Sequence, residues 1–137
     1  MTDQPTLADL TISAKFKACQ CFPKRVYEGI HLYNYCLVRV NGVPLDPRLS
    51  LKNFNQSFEW GCLGEGAKQL AHAIMADLFG DEKLEVMSVY HEKLLSEIIA
   101  RLPRHESWLI TDADILSILA KQSNFKTQLS RYYADSI

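Results

Sequence analysis

Hydrophobic positions along the chain change their period near Gly66. Before that point they alternate or cluster over short runs, which is the signature of strands. Lys15–Phe22 partly alternates, Arg25–Ile30 is a second short run, and Tyr33–Val40 is rich in Tyr, Val and Leu, side chains that suit a pleated surface. Asn41-Gly42 follows directly and predicts a hairpin, because both residues tolerate positive φ. Pro44 and Pro47 limit the returning arm to a short edge strand, since proline has no N–H for a ladder.

After Gly66 the period becomes helical. Ala67, Leu70, Ala71, Ile74, Met75 and Leu78 form one apolar face, with Lys68, Gln69 and His72 assigned to the opposite side. Gly80 closes this helix and Asp81 can cap the next, which is expected from about Glu82 to Arg101 and is stopped by Pro103. Its buried stripe is Leu84, Met87, His91, Leu94, Leu95, Ile98 and Leu102, and its outer face carries Glu85, Glu92, Lys93 and Glu97. Thr111-Asp112-Ala113-Asp114 predicts a capping box at the start of a third helix, with Ile110 and Ile115 as its hydrophobic staple and Ile115, Ile118 and Leu119 facing inward. Phe125–Tyr133 is a last amphipathic segment. Strands followed by helices predict an α+β fold: a small antiparallel sheet in the N-terminal half and three or four helices on one face. The expected organisation is a single domain over 1–137, with a loose leader at 1–14, a mainly β part at 15–57 and a mainly α part at 66–135.

Composition narrows the chemistry. Fifteen Lys plus Arg stand against sixteen Asp plus Glu, for a net charge of −1, which excludes a nucleic-acid binder that works by bulk charge. The first twelve residues carry Asp3 and Asp9 and lack a basic region followed by an apolar run, so a signal peptide is not expected, nor is a membrane span. The protein is therefore expected in the cytoplasm with reduced thiols at Cys19, Cys21, Cys36 and Cys62. Cys19-Gln20-Cys21 with Cys36 and His31 offers zinc ligands, but C-x-C lacks the usual structural spacing, and no metal and no cofactor are expected.

Three of the six glycines fall in Phe58-Glu59-Trp60-Gly61-Cys62-Leu63-Gly64-Glu65-Gly66, at the strand-to-helix junction. No Lys-Ser/Thr pair follows, so this is not a phosphate-binding P-loop, and its glycine order is not a dinucleotide fingerprint. The reading favoured by the residues is a tight turn in which Trp60 covers the sheet–helix junction and Glu59 accepts hydrogen bonds from free helix N–H groups. Glu59, Trp60, Gly61, Gly64, Gly66 and Gln69 are the candidate binding motif.

That motif, with Gln69-Leu70-Ala71, resembles a family of short proteins of unknown function found in bacteria, archaea, plasmids and phages. Their shared pattern is close to Phe-Glu-Trp-Gly-Tyr-Gly-Gly-Ser-Gly-Pro-Ala-Gln-Leu-Ala. The resemblance extends through Tyr27-x-Gly29, Val38-x-Val40-Asn41-Gly42-x-Pro44-Leu45, Tyr90-x-x-Lys93, Leu102-Pro103 and Trp108-x-Ile110-Thr111, about residues 26–118. Cys62, Glu65 and Ala67 depart from the pattern, and Glu65 opposes a phosphate-cradling role. The habitat of the resembling family implies an accessory or anti-defence inhibitor that occludes a host nuclease or CRISPR-type complex.

Three functions compete. The first is a non-enzymatic interaction protein whose partner is another protein or a nucleoprotein complex. Lys15, Lys17, Lys24, Arg25, Tyr27, Tyr33 and Tyr35 are its candidate interface, tyrosine being enriched at such surfaces. The second uses the same basic and aromatic N-terminal strands to bind single-stranded nucleic acid, or the last helices with Lys121, Lys126 and Arg131 against a duplex. The third is a small enzyme in which Glu59 orients His72 beside Cys62, whereas His91 is expected to be a satisfied core histidine.

Overall fold

The structure is a computed structural model that describes residues 24–33, 35–83 and 90–121. Three strands open the described chain: β1 (Val26–His31), β2 (Cys36–Val40) and the two-residue β3 (Val43–Pro44). The Asn41-Gly42 hairpin forms as expected. Asn41 has φ 50° and Gly42 φ 83°, the paired positive values that match the strand twist. The Asn41 side chain also accepts from the Val26 N–H (2.8 Å) and donates to the Lys24 carbonyl (3.0 Å), so the turn fastens the start of β1. Pro44 confines β3 to the sheet edge.

A fourth strand, β4 (Trp108–Thr111), arrives from the C-terminal half and pairs antiparallel with β1, Tyr27 opposite Ile110 and Gly29 opposite Trp108. The sheet order is β3-β2-β1-β4. The α+β fold with an antiparallel sheet is as expected, and β4 adds to it from the C-terminal half: β1 is a central strand, closed on one side by a segment about 80 residues downstream. Gly29 is required there. A Cβ at this position would stand 2.1 Å from the Trp108 ring, which lies over the backbone of β1.

The described helices cover one face. They are α1 (Glu65–Phe79), α2 (His91–Glu97) and α3 (Asp112–Leu119). Tyr27, Val38, Trp108 and Ile110 point from the sheet into a core shared with Leu70, Ile74, Leu94, Ile99, Ile115 and Leu119. Helix α1 is buried on nearly every side, and Gln69 and His72, assigned from periodicity to the side opposite the apolar face, are 0% and 4% exposed. Within the second expected helix, His91–Glu97 is regular α-helix, Asp81–Lys83 and Ile99–Arg101 are single 3₁₀ turns, and residues 84–89 lie outside the described residues. Leu94, Leu95 and Ile98 are buried as the stripe requires, while Leu84, Glu85 and Met87 lie outside the described residues.

The capping box of α3 is present. Thr111 Oγ1 accepts from the Asp114 N–H (3.2 Å) and Asp114 Oδ2 accepts from the Thr111 N–H (2.9 Å). Ile110, Ile115 and Leu119 are buried. The leader at 1–14, the candidate strand at 15–22 and the segment at 125–133 lie outside the described residues.

Candidate interaction site

The Trp60 loop is built from the inside out. The Trp60 side chain is 1% exposed and meets Trp108 edge-on, with ring centroids 5.3 Å apart. Its indole N–H donates to the carbonyls of Pro103 (2.9 Å) and Glu106 (3.2 Å), tying the loop before α1 to the loop before β4. Gly61 continues that seam. Its N–H donates to the Ile99 carbonyl (2.9 Å), and at φ 74° its Cα faces Leu102 and Arg104 at a distance no side chain would fit. Trp60 and Gly61 therefore hold the scaffold.

Glu59 occupies the room that side chains at Gly64 and Gly66 would take. A Cβ at Gly64 would lie 2.6 Å from Glu59 Oε1, and one at Gly66 2.5 Å from Glu59 Cγ. No side-chain hydrogen bond caps α1, so the expected donation from helix N–H groups to Glu59 is not made. The carboxylate lies beside the positive end of the helix as a charge, an arrangement that favours the helix without a directed bond. Partial burial, and after it the Glu59 charge, raise the pKa of the Cys36 thiol, while Arg104 works the other way. The Cys36 thiol is thus within electrostatic reach of Glu59 and Arg104, which come from two other stretches of chain. A thiol with a raised pKa holds less thiolate, which is the opposite of an activated nucleophile.

Three loops converge at this end of the sheet: the β1–β2 connection with Leu32, Tyr33 and Tyr35, the Trp60 loop, and residues 102–107. The His31 and His105 rings meet edge-on at 5.5 Å, and the His31 N–H donates to Ser107 Oγ (3.3 Å). The turn is closed by the Leu32 N–H on the Tyr35 carbonyl (2.8 Å). Tyr33 is 99% exposed, Tyr35 60% and Leu63 61%. Two of the predicted interface residues therefore share one end with the predicted motif. His31, Leu63, Arg104 and His105 join them unforeseen. No local pattern marks these four, because what unites them is the antiparallel return of β4 onto β1.

The remaining candidates go elsewhere. Gln69 is spent inside the protein: its Oε1 accepts from the N–H groups of Phe54 (2.6 Å) and Asn55 (3.2 Å), and its Nε2 donates to the carbonyls of Pro47 (2.7 Å) and Lys52 (2.9 Å). Tyr27 is fully buried, which removes it from any interface. Its hydroxyl donates to Asp77 Oδ2 (2.7 Å), and Arg25 Nε stands 3.1 Å from the same oxygen. Burial and then the Asp77 charge raise the Tyr27 pKa. Arg25 is thus engaged, Lys24 is exposed, and Lys15 and Lys17 lie outside the described residues.

The Cys62–His72–Glu59 arrangement is not assembled. The His72 ring packs edge-on against Phe54 at 6.2 Å, and among the described residues no hydrogen bond joins it to Cys62 or Glu59. His91 is a satisfied histidine: its Nε2 donates to the Lys68 carbonyl (3.1 Å) and its ring stacks on Phe54 at 5.8 Å. Among the described residues Cys36 and Cys62 are free, no group of three or more potential ligands could hold a metal ion, and no helix is long and apolar enough to cross a membrane. Cys19 and Cys21 lie outside the described residues.

No curated protein and no solved structure matches the chain. A family model, described as a family of unknown function (DUF6166), matches residues 27–121, which take in β1 from its second residue, β2 to β4, the described helices α1 to α3 and the Trp60 loop. On that match, which spans well over half of its length, the chain belongs to the DUF6166 family.

Proposed function

We propose that this chain is a non-enzymatic interaction protein that docks on another protein or nucleoprotein complex through the three-loop end. The observation that carries the reading is the pair Tyr33 and Tyr35, exposed on a turn that a backbone hydrogen bond already closes. A tyrosine side chain has only two torsions to fix and so gives up little entropy on binding, which is why tyrosines recur among the residues that dominate interfaces. Leu63 adds apolar surface from the Trp60 loop, and Arg104 and His105 add polar groups at its margin.

The narrower form of the proposal is an inhibitor of the mobile-element type that covers a host nuclease or CRISPR-type complex. Its support is the habitat implied by the sequence resemblance, together with a surface suited to occlusion.

The test is affinity capture with the full chain from lysate of the source cells, identification of what is retained, and titration of the purified partner. Tyr33→Ala/Tyr35→Ala is expected to weaken binding by at least tenfold while unfolding stability stays within about 0.5 kcal/mol, as for exposed positions generally. Unchanged affinity in that variant, or a partner whose cross-links map away from residues 31–35, 59–64 and 102–107, would overturn the proposal.

A further inference from the structure

The face of the sheet opposite the helices is unusually apolar. In an antiparallel sheet covered on one side, the outward positions are normally polar. Here the outward positions include Val26 and Ile30 on β1 and Leu37 on β2, all three half-buried, and the exposed Pro44 on β3 and Leu109 on β4, the last 61% exposed. No described helix or strand lies across this face.

One charged pair interrupts it. Glu28 and Arg39 are direct cross-strand partners at its centre, and among the described residues neither side chain makes a hydrogen bond or an ion pair. The register places four residues in one row across the sheet, Pro44–Arg39–Glu28–Leu109. The adjoining row pairs Leu37 with Ile30.

We infer that this face docks on a second copy of the same chain. The row is self-complementary. A two-fold axis running between β1 and β2 in the plane of contact would set Glu28 of one copy over Arg39 of the other, Leu109 over Pro44, and Ile30 over Leu37. Each charge meets its opposite twice and each apolar side chain meets an apolar one, as an isologous interface requires. Strands would cross at a small angle, the arrangement of aligned sheet packing. An unrelated partner would need its own matching zwitterionic row, whereas a second copy carries it by definition.

Size sets the strength. Four strands about 4.8 Å apart, by about six residues of roughly 3.3 Å, give a footprint on the order of 400 Å². That is below the roughly 800 Å² per partner of a standard stable interface, so the dimer forms and dissociates with concentration instead of being obligate. The three-loop end is at the rim and stays open, so a dimer presents two copies of it. This inference does not depend on the proposed function.

Sedimentation equilibrium of the full chain from about 5 to 500 μM tests it, with thermal melts of dilute samples confirming that each variant is folded. A monomer–dimer equilibrium is expected for the parent chain, weakened at least tenfold by Leu109→Arg. Glu28→Arg and Arg39→Glu should each weaken association by a similar factor, and the double variant should recover most of the loss, because the row again reads opposite to itself. A parent chain that stays monomeric throughout overturns the inference. So does a dimer indifferent to Leu109→Arg, which would place the contact elsewhere, or a double variant no better than the single ones. If the parent is monomeric and Leu109→Arg instead abolishes binding of a captured protein, the face belongs to a different partner and the dimer is wrong.

Discussion

Gln69→Leu removes a side chain of similar size whose two polar ends hold one loop against α1. Four hydrogen bonds go with it, two accepted from the Phe54 and Asn55 N–H groups and two donated to the Pro47 and Lys52 carbonyls. A hydrogen bond contributes about 0.5–1.5 kcal/mol net, and this loop is partly exposed, so water replaces some of what is lost. The expected cost is therefore about 2–4 kcal/mol, a large part of the roughly 5–15 kcal/mol that holds a domain folded. For a chain of this size that lowers Tm by on the order of 10 °C. Gln69→Glu separates the two halves of the interaction. A carboxylate keeps both acceptor bonds but puts an oxygen where the amide faced two carbonyls, so it should cost at least as much at neutral pH and less under acid conditions, where the protonated group can donate once. Urea unfolding gives the magnitude. Native-state hydrogen exchange gives the location: the amides of Phe54 and Asn55 should lose protection beyond the global change, while those of β1 and α3 should only follow it. A Gln69→Leu protein within about 0.5 kcal/mol of the parent, or one loosened uniformly, would refute the reasoning and return Gln69 to the list of binding residues.

Trp60→Ala should cost about 3–5 kcal/mol by opening a cavity between the Trp60 loop and β4, read by thermal or urea unfolding, and a variant as stable as the parent would contradict the buried ring. His72 should make stability fall in mild acid. Its pKa is lowered, first by burial, with Arg48, Lys52 and His91 opposing a further positive charge and a contact to the Arg48 backbone working in the other direction. Below the unfolded value of about 6.5 the unfolded chain binds a proton that the folded side chain refuses, so the stabilisation is present above that pH and is lost as pH falls towards the folded pKa. His72→Gln should flatten this part of a stability–pH curve measured between pH 7.5 and 5, and an unchanged slope would show that another group carries it.

Local chemistry determined much of this protein. Asn41-Gly42 made its turn because both residues accept positive φ, and Thr111 with Asp114 made its capping box because the partners are three residues apart. The α+β class followed from the change of period at Gly66, and the structural role of Trp60 from its position at a strand–helix junction. In each case the interacting groups are neighbours in sequence, or the residue type leaves few alternatives.

Only the tertiary structure decided the rest. Trp108–Thr111 is too short to announce itself as a strand; it becomes one because β1 offers an open ladder and Gly29 leaves room for the Trp108 ring. Gln69 and His72 were placed opposite the core face because periodicity records one apolar face, whereas the loop at 46–57 folds back and buries a second side of α1. Tyr27 was assigned to the surface because a tyrosine suits either environment, and Asp77, 50 residues away, selects the inside by accepting a hydrogen bond from its hydroxyl. The meeting of Tyr33, Tyr35, Leu63, Arg104 and His105 at one end of the sheet depends on the same long-range pairing. No window along the chain contains it, because the return of β4 to β1 creates the site.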